Sequence, residues 1–143
     1  MGQLSAGKHL IGGLVVDTHA ALWYLADDPA LSARAATALD ATTIAGHPIY
    51  VPGICIVESI YLAEKGRIPE TALERMLHAL EEPNPRFVIA PLDWDVAVKV
   101  RSIARADVPD LPDRVIAATA AALRLPLVTK DGRIRATNLE TIW

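Results

Sequence analysis

LPDRVIAATAAALRLPLVTKDGRI, residues 111–134, sets an acid at the start of a helix, Asp113, and a second acid, Asp131, just past a short strand. Between them the run from Val115 to Leu123 is apolar on nearly every face, and a helix of that kind is buried all round. Pro126 closes the helical run, and Leu127-Val128-Thr129 reads as an extended segment. A buried helix leading into a buried strand is the repeating piece of a parallel α/β layer. Its ends are where buried elements open to solvent, and both carry carboxylates. Gly13-Leu14-Val15-Val16 has the same form and closes at Asp17. The chain therefore reads as a scaffold that gathers carboxylates at one edge of a sheet.

The remaining pattern agrees with a parallel sheet flanked by helices on both faces. His19 to Ala26 reads as a short helix with Leu22 and Leu25 inward, and Ser32 as the N-cap of a helix through about Ala41. Pro48 to Val51 is a second extended piece, turned by Pro52-Gly53 into the helix ICIVESIYLAEKG, which Gly66 ends. Pro69 to Glu82 is another helix, with Leu73, Met76, Leu77 and Leu80 at helical spacing. Phe87 to Leu92 is a third strand, Asp93 caps a helix through about Arg105, and 108–112 is an irregular connector. Leu139 to Trp143 is a last extended piece. Residues 1–12 have no periodicity and are expected to be a flexible N-terminal extension or a cloning remnant, with one domain over 13–143.

At 143 residues the chain suits one domain and one core. Hydrophobic residues make up 52% with a single Phe, so the interior is aliphatic. No run is long enough to span a membrane and none resembles a signal peptide, which points to the cytoplasm. The lone cysteine, Cys55, sits in the apolar run ICIVE and reads as an inert buried thiol. The net charge of −3 argues against a nucleic-acid partner, but its distribution does not. Between Lys99 and Arg135 eight bases face four acids. The positive region thus surrounds the organising stretch, either as a phosphate-facing rim or as ordinary solvated helix faces.

In an open parallel sheet, ligands bind beyond the carboxyl ends of the strands, where the strand order reverses. Asp17, Asp113 and Asp131 all suit that edge, although each is also a good cap or turn residue, Lys130-Asp131-Gly132 above all. Glu58 is harder to dismiss. It stands mid-helix with apolar neighbours at 54, 57, 60 and 61, so it needs a partner, either an arginine or a divalent metal. Converging carboxylates repel one another, and bound Mg²⁺ or Mn²⁺ relieves that repulsion. The histidines at 9, 19, 47 and 78 have no ligand spacing for zinc. Gly2 to Lys8 spells G-x-x-x-x-G-K, but His9 stands where a phosphate-binding loop needs Ser or Thr. Asp17-Thr18-His19 lacks the second His of metal-dependent amidohydrolases and the second Asp of haloacid-dehalogenase-like phosphatases.

Four segments in order carry a resemblance. Val15-Val16-Asp17-Thr18-His19-Ala20 with Leu22-Trp23, the helix around Glu58, Asp110-Leu-Pro-Asp113-Arg114 with Ile116-Ala117-Ala118, and Leu127-Val128-Thr129-Lys130-Asp131 together resemble PIN-domain proteins of the VapC toxin type. Lys130 departs from the pattern, since many relatives carry a small or neutral residue there. The resemblance implies an RNA-cleaving enzyme using Mg²⁺ or Mn²⁺. Asp17, Glu58 and Asp113 would hold the metal, with Asp131 binding through water or supporting a second ion. By the same resemblance a VapB-like antitoxin would silence it, with RNA, tRNA among the possibilities, as substrate and a homodimer as the assembly. Thr129 would orient a carboxylate or a water, or be structural. Arg114 would grip phosphate or pair with Asp110. Leu22, Trp23 and Tyr24 would line an antitoxin groove or belong to the core. Two other readings remain: a catalytically silent PIN fold that binds RNA or protein, and a phosphate-handling or receiver-like domain using Asp17 and Lys130.

Overall fold

The computed structural model describes residues 12–143, so the expected extension lies, but for Gly12, outside the described residues. Five strands form one all-parallel sheet in the order β3-β2-β1-β4-β5. They are β1 (Leu14–Val16), β2 (Ile49–Pro52), β3 (Phe87–Ala90), β4 (Leu127–Val128) and β5 (Thr141–Ile142). Seven α-helices among the described residues connect and cover them: α1 (Thr18–Leu25), α2 (Ala33–Ile44), α3 (Gly53–Glu64), α4 (Glu70–Glu81), α5 (Trp94–Lys99), α6 (Leu111–Leu123) and α7 (Gly132–Arg135). The parallel α/β architecture read from the sequence is the one observed.

The centre of the sheet is its most apolar part. β1 is buried at all three positions, as a strand covered on both faces must be. Val15 pairs with Tyr50 on one side and Leu127 on the other, so β1 joins the two halves. The strand order reverses here: β2 and β3 extend one way, β4 and β5 the other. Gly13 admits the chain to this crowded centre. Its φ is +101°, and a Cβ would stand 2.8 Å from the Pro48 carbonyl oxygen. α6 lies against the same centre with Val115 to Ala120 all buried. Ala117 and Ala118 are completely inaccessible, and the helix packs closely against α3 and α5.

Several boundaries differ from the sequence reading for identifiable reasons. Pro52 is the last residue of β2 rather than part of a turn, because its ψ of 139° continues the extended chain directly into Gly53. α2 runs three residues past Ala41, to Ile44. The helix capped by Asp93 stops at Lys99, tightens into a 3-10 turn over Val100–Ser102, and ends at Ile103. The early stop leaves end carbonyls that Arg114 meets: its guanidinium donates to the carbonyls of Val100 and Ile103, at 3.0 and 2.7 Å. Of the apolar positions 54, 57, 60 and 61 beside Glu58, Ile54 alone packs against the core. Val57, Ile60 and Tyr61 are all exposed on α3.

Candidate active site

Asp17 leaves β1 at the point of strand reversal and caps α1, its Oδ1 accepting the Ala20 N–H at 2.8 Å. Its Oδ2 accepts the Thr129 hydroxyl at 2.6 Å. Thr129 directly follows β4 and is completely buried, and its oxygen also accepts the Asp131 N–H at 3.0 Å. One hydroxyl therefore fixes the acid after β1 and the backbone of the acid after β4. Burial raises the Asp17 pKa, with the Thr129 and Ala20 hydrogen bonds opposing that shift.

Glu58 reaches the same edge from the second turn of α3. Its Oε1 accepts the hydroxyl of the buried Thr18 at 2.6 Å, so the recorded contact is a neutral donor rather than an arginine. A neutral donor orients the carboxylate and leaves its charge uncancelled. Asp113 arrives from the first turn of α6, where Asp110 is the N-cap and accepts the Asp113 N–H at 3.1 Å. Burial, then repulsion from Asp131 and Asp110, a hydrogen bond to Asp131 and repulsion from Glu58 push the Asp113 pKa up to about 7. The carboxyl is thus poised near neutrality by its neighbours. Asp131 is the N-cap of α7, its Oδ1 accepting the N–H groups of Arg133 and Ile134 at 2.9 and 3.0 Å. The sequence showed only a turn there, because a four-residue helix is too short to leave a periodic signal.

Asp17, Glu58, Asp113 and Asp131 line one open cleft of about 540 Å³. Lys130 is the only Lys or Arg among the residues that line it. The cleft is therefore strongly negative, with one cation at its rim. Among the described residues no three acids, histidines or cysteines stand close enough, as placed, to form a closed metal-ligand set. The carboxylates surround open space, and each oxygen that accepts one hydrogen bond keeps further lone-pair capacity.

Arg114 is positioned away from this lining: Nε and Nη2 are engaged by the 3-10 turn carbonyls, so it anchors the start of α6 and with it Asp113. Thr18, His19, Trp23 and Asp110 also line the cleft, and the sequence reading gave them no role there. The available signal was adjacency, since Thr18 and His19 follow Asp17 directly and Asp110 is one helical turn before Asp113. Leu22 is core, whereas Tyr24, whose ring packs 6.0 Å from Phe87 and whose hydroxyl donates to Asp40, lines with Trp23 a separate open pocket of about 310 Å³. Cys55 is fully buried with a thiol pKa pushed far up by burial, consistent with an inert residue.

Thr129→Val is expected to leave Asp17 Oδ2 and the Asp131 N–H without this partner at almost unchanged volume. The loss should be about 1–3 kcal/mol of unfolding free energy, measured by urea titration at neutral pH.

A model of the PIN domain family matches residues 14–139. Solved structures of similar fold include VapBC2 from Rickettsia felis bound to a DNA fragment from its promoter, at 17% identity and TM-score 0.66, covering 90% of this chain and 96% of that one. A toxin–antitoxin complex from Klebsiella pneumoniae matches at 24% identity and TM-score 0.63, covering 91% and 96%. FitAcB from Neisseria gonorrhoeae matches at 24% identity and TM-score 0.59, covering 90% and 95%. No curated protein gives a significant match. At these identities the structural likeness is one of fold.

Proposed function

We propose, from the premise that this chain belongs to the PIN-domain family, that it is a metal-dependent endoribonuclease and the toxin of a toxin–antitoxin pair. The observation that carries the proposal is the meeting of four carboxylates, from four separate elements, in one cleft where burial, and after it repulsion from the neighbouring acids, pushes the Asp113 pKa up to about 7. A fold gains nothing in stability from that arrangement, so an external cation is its natural counterpart. All four donors are hard oxygens, which suit Mg²⁺ or Mn²⁺ better than zinc, whose sites favour nitrogen and sulfur.

In this reading Asp17, Glu58 and Asp113 hold the ion, and Asp131 supports it from the α7 cap. When bound, the ion supplies Lewis-acid stabilisation and water activation for phosphodiester hydrolysis. The protein's own part is orientation. Thr129 and Thr18 fix Asp17 and Glu58, Arg114 anchors the helix that presents Asp113, and Asp110 holds its first turn. Lys130 at the rim, and Arg133 and Arg135 in the turn after Asp131, supply positive charge for the RNA backbone. The toxin assignment is supported by the similar solved structures, of which the one from Klebsiella pneumoniae is described as a toxin–antitoxin complex. A VapB-like antitoxin and a homodimer belong to the same proposal, and among the described residues no helix is long and apolar enough to cross a membrane.

The open spacing of the acids favours one competing reading, a silent PIN fold that binds RNA or protein without an ion. Calorimetric titration with Mn²⁺ separates them. The nuclease reading predicts binding that is lost in Asp113→Asn. Because the ion displaces the proton held on Asp113, affinity should rise up to about tenfold per pH unit below about 7 and level off above it. Absent binding, or binding indifferent to both pH and Asp113, selects the silent module.

A further inference from the structure

One wall of the acidic cleft is aromatic, and nothing in the hydrolytic scheme uses it. Trp23 lines the cleft from α1 together with His19 and Lys130. His19, one turn earlier on the same helix, sets its ring 5.4 Å from the Trp23 ring at 46°, and Trp143 at the chain end sets its ring 6.0 Å away at 56°. Both neighbours are tilted, so they fix the indole's orientation without laying a parallel ring across it. The Lys130 ammonium stands over the Trp23 ring, 5.9 Å from its centroid, so a base reaches that face as the lysine side chain swings aside; Lys130 follows Thr129 on the rim beside Asp131. A fixed indole bordered by a histidine and an ammonium, opening onto carboxylates, combines a π-surface with a phosphate counter-charge.

We propose that Trp23 is the base-stacking platform of this cleft: a nucleobase flanking the scissile phosphate rests on the indole while Lys130 meets an adjoining phosphate. The proposal rests on the ribonuclease reading and adds to it a determinant of single-stranded substrate. Trp23 positions substrate and takes no part in proton transfer or metal holding. A platform of this kind accepts any base, because every base has a π-face, and it excludes duplex RNA, whose bases are already stacked.

The test uses the full chain with Mn²⁺ and two labelled probes: a hydrolysis-resistant phosphorothioate oligouridylate, and the same backbone without bases. In wild type, removal of the bases should weaken binding roughly five- to a hundredfold. Trp23→Leu should weaken binding of the base-bearing probe by a similar factor, leave the base-free probe unchanged, and be largely rescued by Trp23→Phe. A structural role would instead weaken both probes together. A second readout needs no change at Trp23. With Trp94→Phe and Trp143→Phe the remaining tryptophan is Trp23, and its emission should be quenched by the base-bearing probe alone. Equal binding of the two probes with unmoved emission overturns the stacking platform while leaving RNA cleavage intact as a reading. Failure of both probes to bind, together with absence of cleavage, removes both.

Discussion

Asp113→Asn is expected to reduce RNA cleavage by about 10³-fold and, in metal-free buffer at pH 8, to raise the melting temperature by a few degrees. The first effect follows from removing one charged donor from a site whose proposed ion would supply several kcal/mol of transition-state stabilisation, at about 1.4 kcal/mol per decade of rate. The second follows from the sign of the pKa shift. Asp113 is raised from 3.8 to about 7 in the folded protein, so its ionised form is the one the fold disfavours. Its contribution is neutral below the unfolded value. It becomes destabilising as pH climbs from there and is fully so above about 7. An asparagine carries no charge, and its amide N–H can donate to Asp131 as the protonated acid does. Cleavage rate and thermal melting, measured on the same preparation at pH 8, check both halves. A variant that lost activity and stability together would mean that Asp113 holds the fold rather than an ion.

Phe87→Ala is expected to cost about 3–5 kcal/mol of unfolding free energy. Phe87 is the only phenylalanine and is 2% exposed, paired with Ile49 through β3 and β2 and packed against the Tyr24 ring. Its ring ties the outer strand to α1, so truncation leaves a cavity between elements that cannot easily collapse. The loss is a large share of the stability of a domain this size, and urea unfolding should shift to a much lower midpoint. Phe87 does not line the cleft, so the folded fraction should bind Mn²⁺ as the wild type does.

What could be read from the chain was whatever repeats or is strongly apolar. Val115 to Leu123, and the Leu14–Val16 strand ending in Asp17, announce a buried centre and an acid at its edge, because continuous burial demands continuous apolar sequence. The three aspartates singled out on that ground, and Glu58, singled out by its apolar neighbours, line one cleft. What stayed hidden depends on contacts distant in sequence. Thr129 is tied to Asp17 across 112 positions and Thr18 to Glu58 across 40, and neither spacing has a local signal. Arg114 offered two roles by sequence, yet its guanidinium is engaged by carbonyls that exist only because a neighbouring helix ends early. The apolar residues around Glu58 suggested a carboxylate in apolar surroundings, but composition cannot tell a core face from an exposed one, and Val57 and Tyr61 are at the surface. The acids were legible as residues, and their tethers only as structure.

The central claim is that the cleft hydrolyses RNA through an ion held by its carboxylates. It is tested most directly by incubating the antitoxin-free chain with a pool of tRNA and other structured RNA in Mn²⁺, beside lanes with chelator and with Asp17→Asn. The account predicts discrete products in the first lane that vanish in both others and return when Mn²⁺ is restored in excess of chelator. Identical patterns from wild type and Asp17→Asn, whether uncut or equally cut, would contradict it.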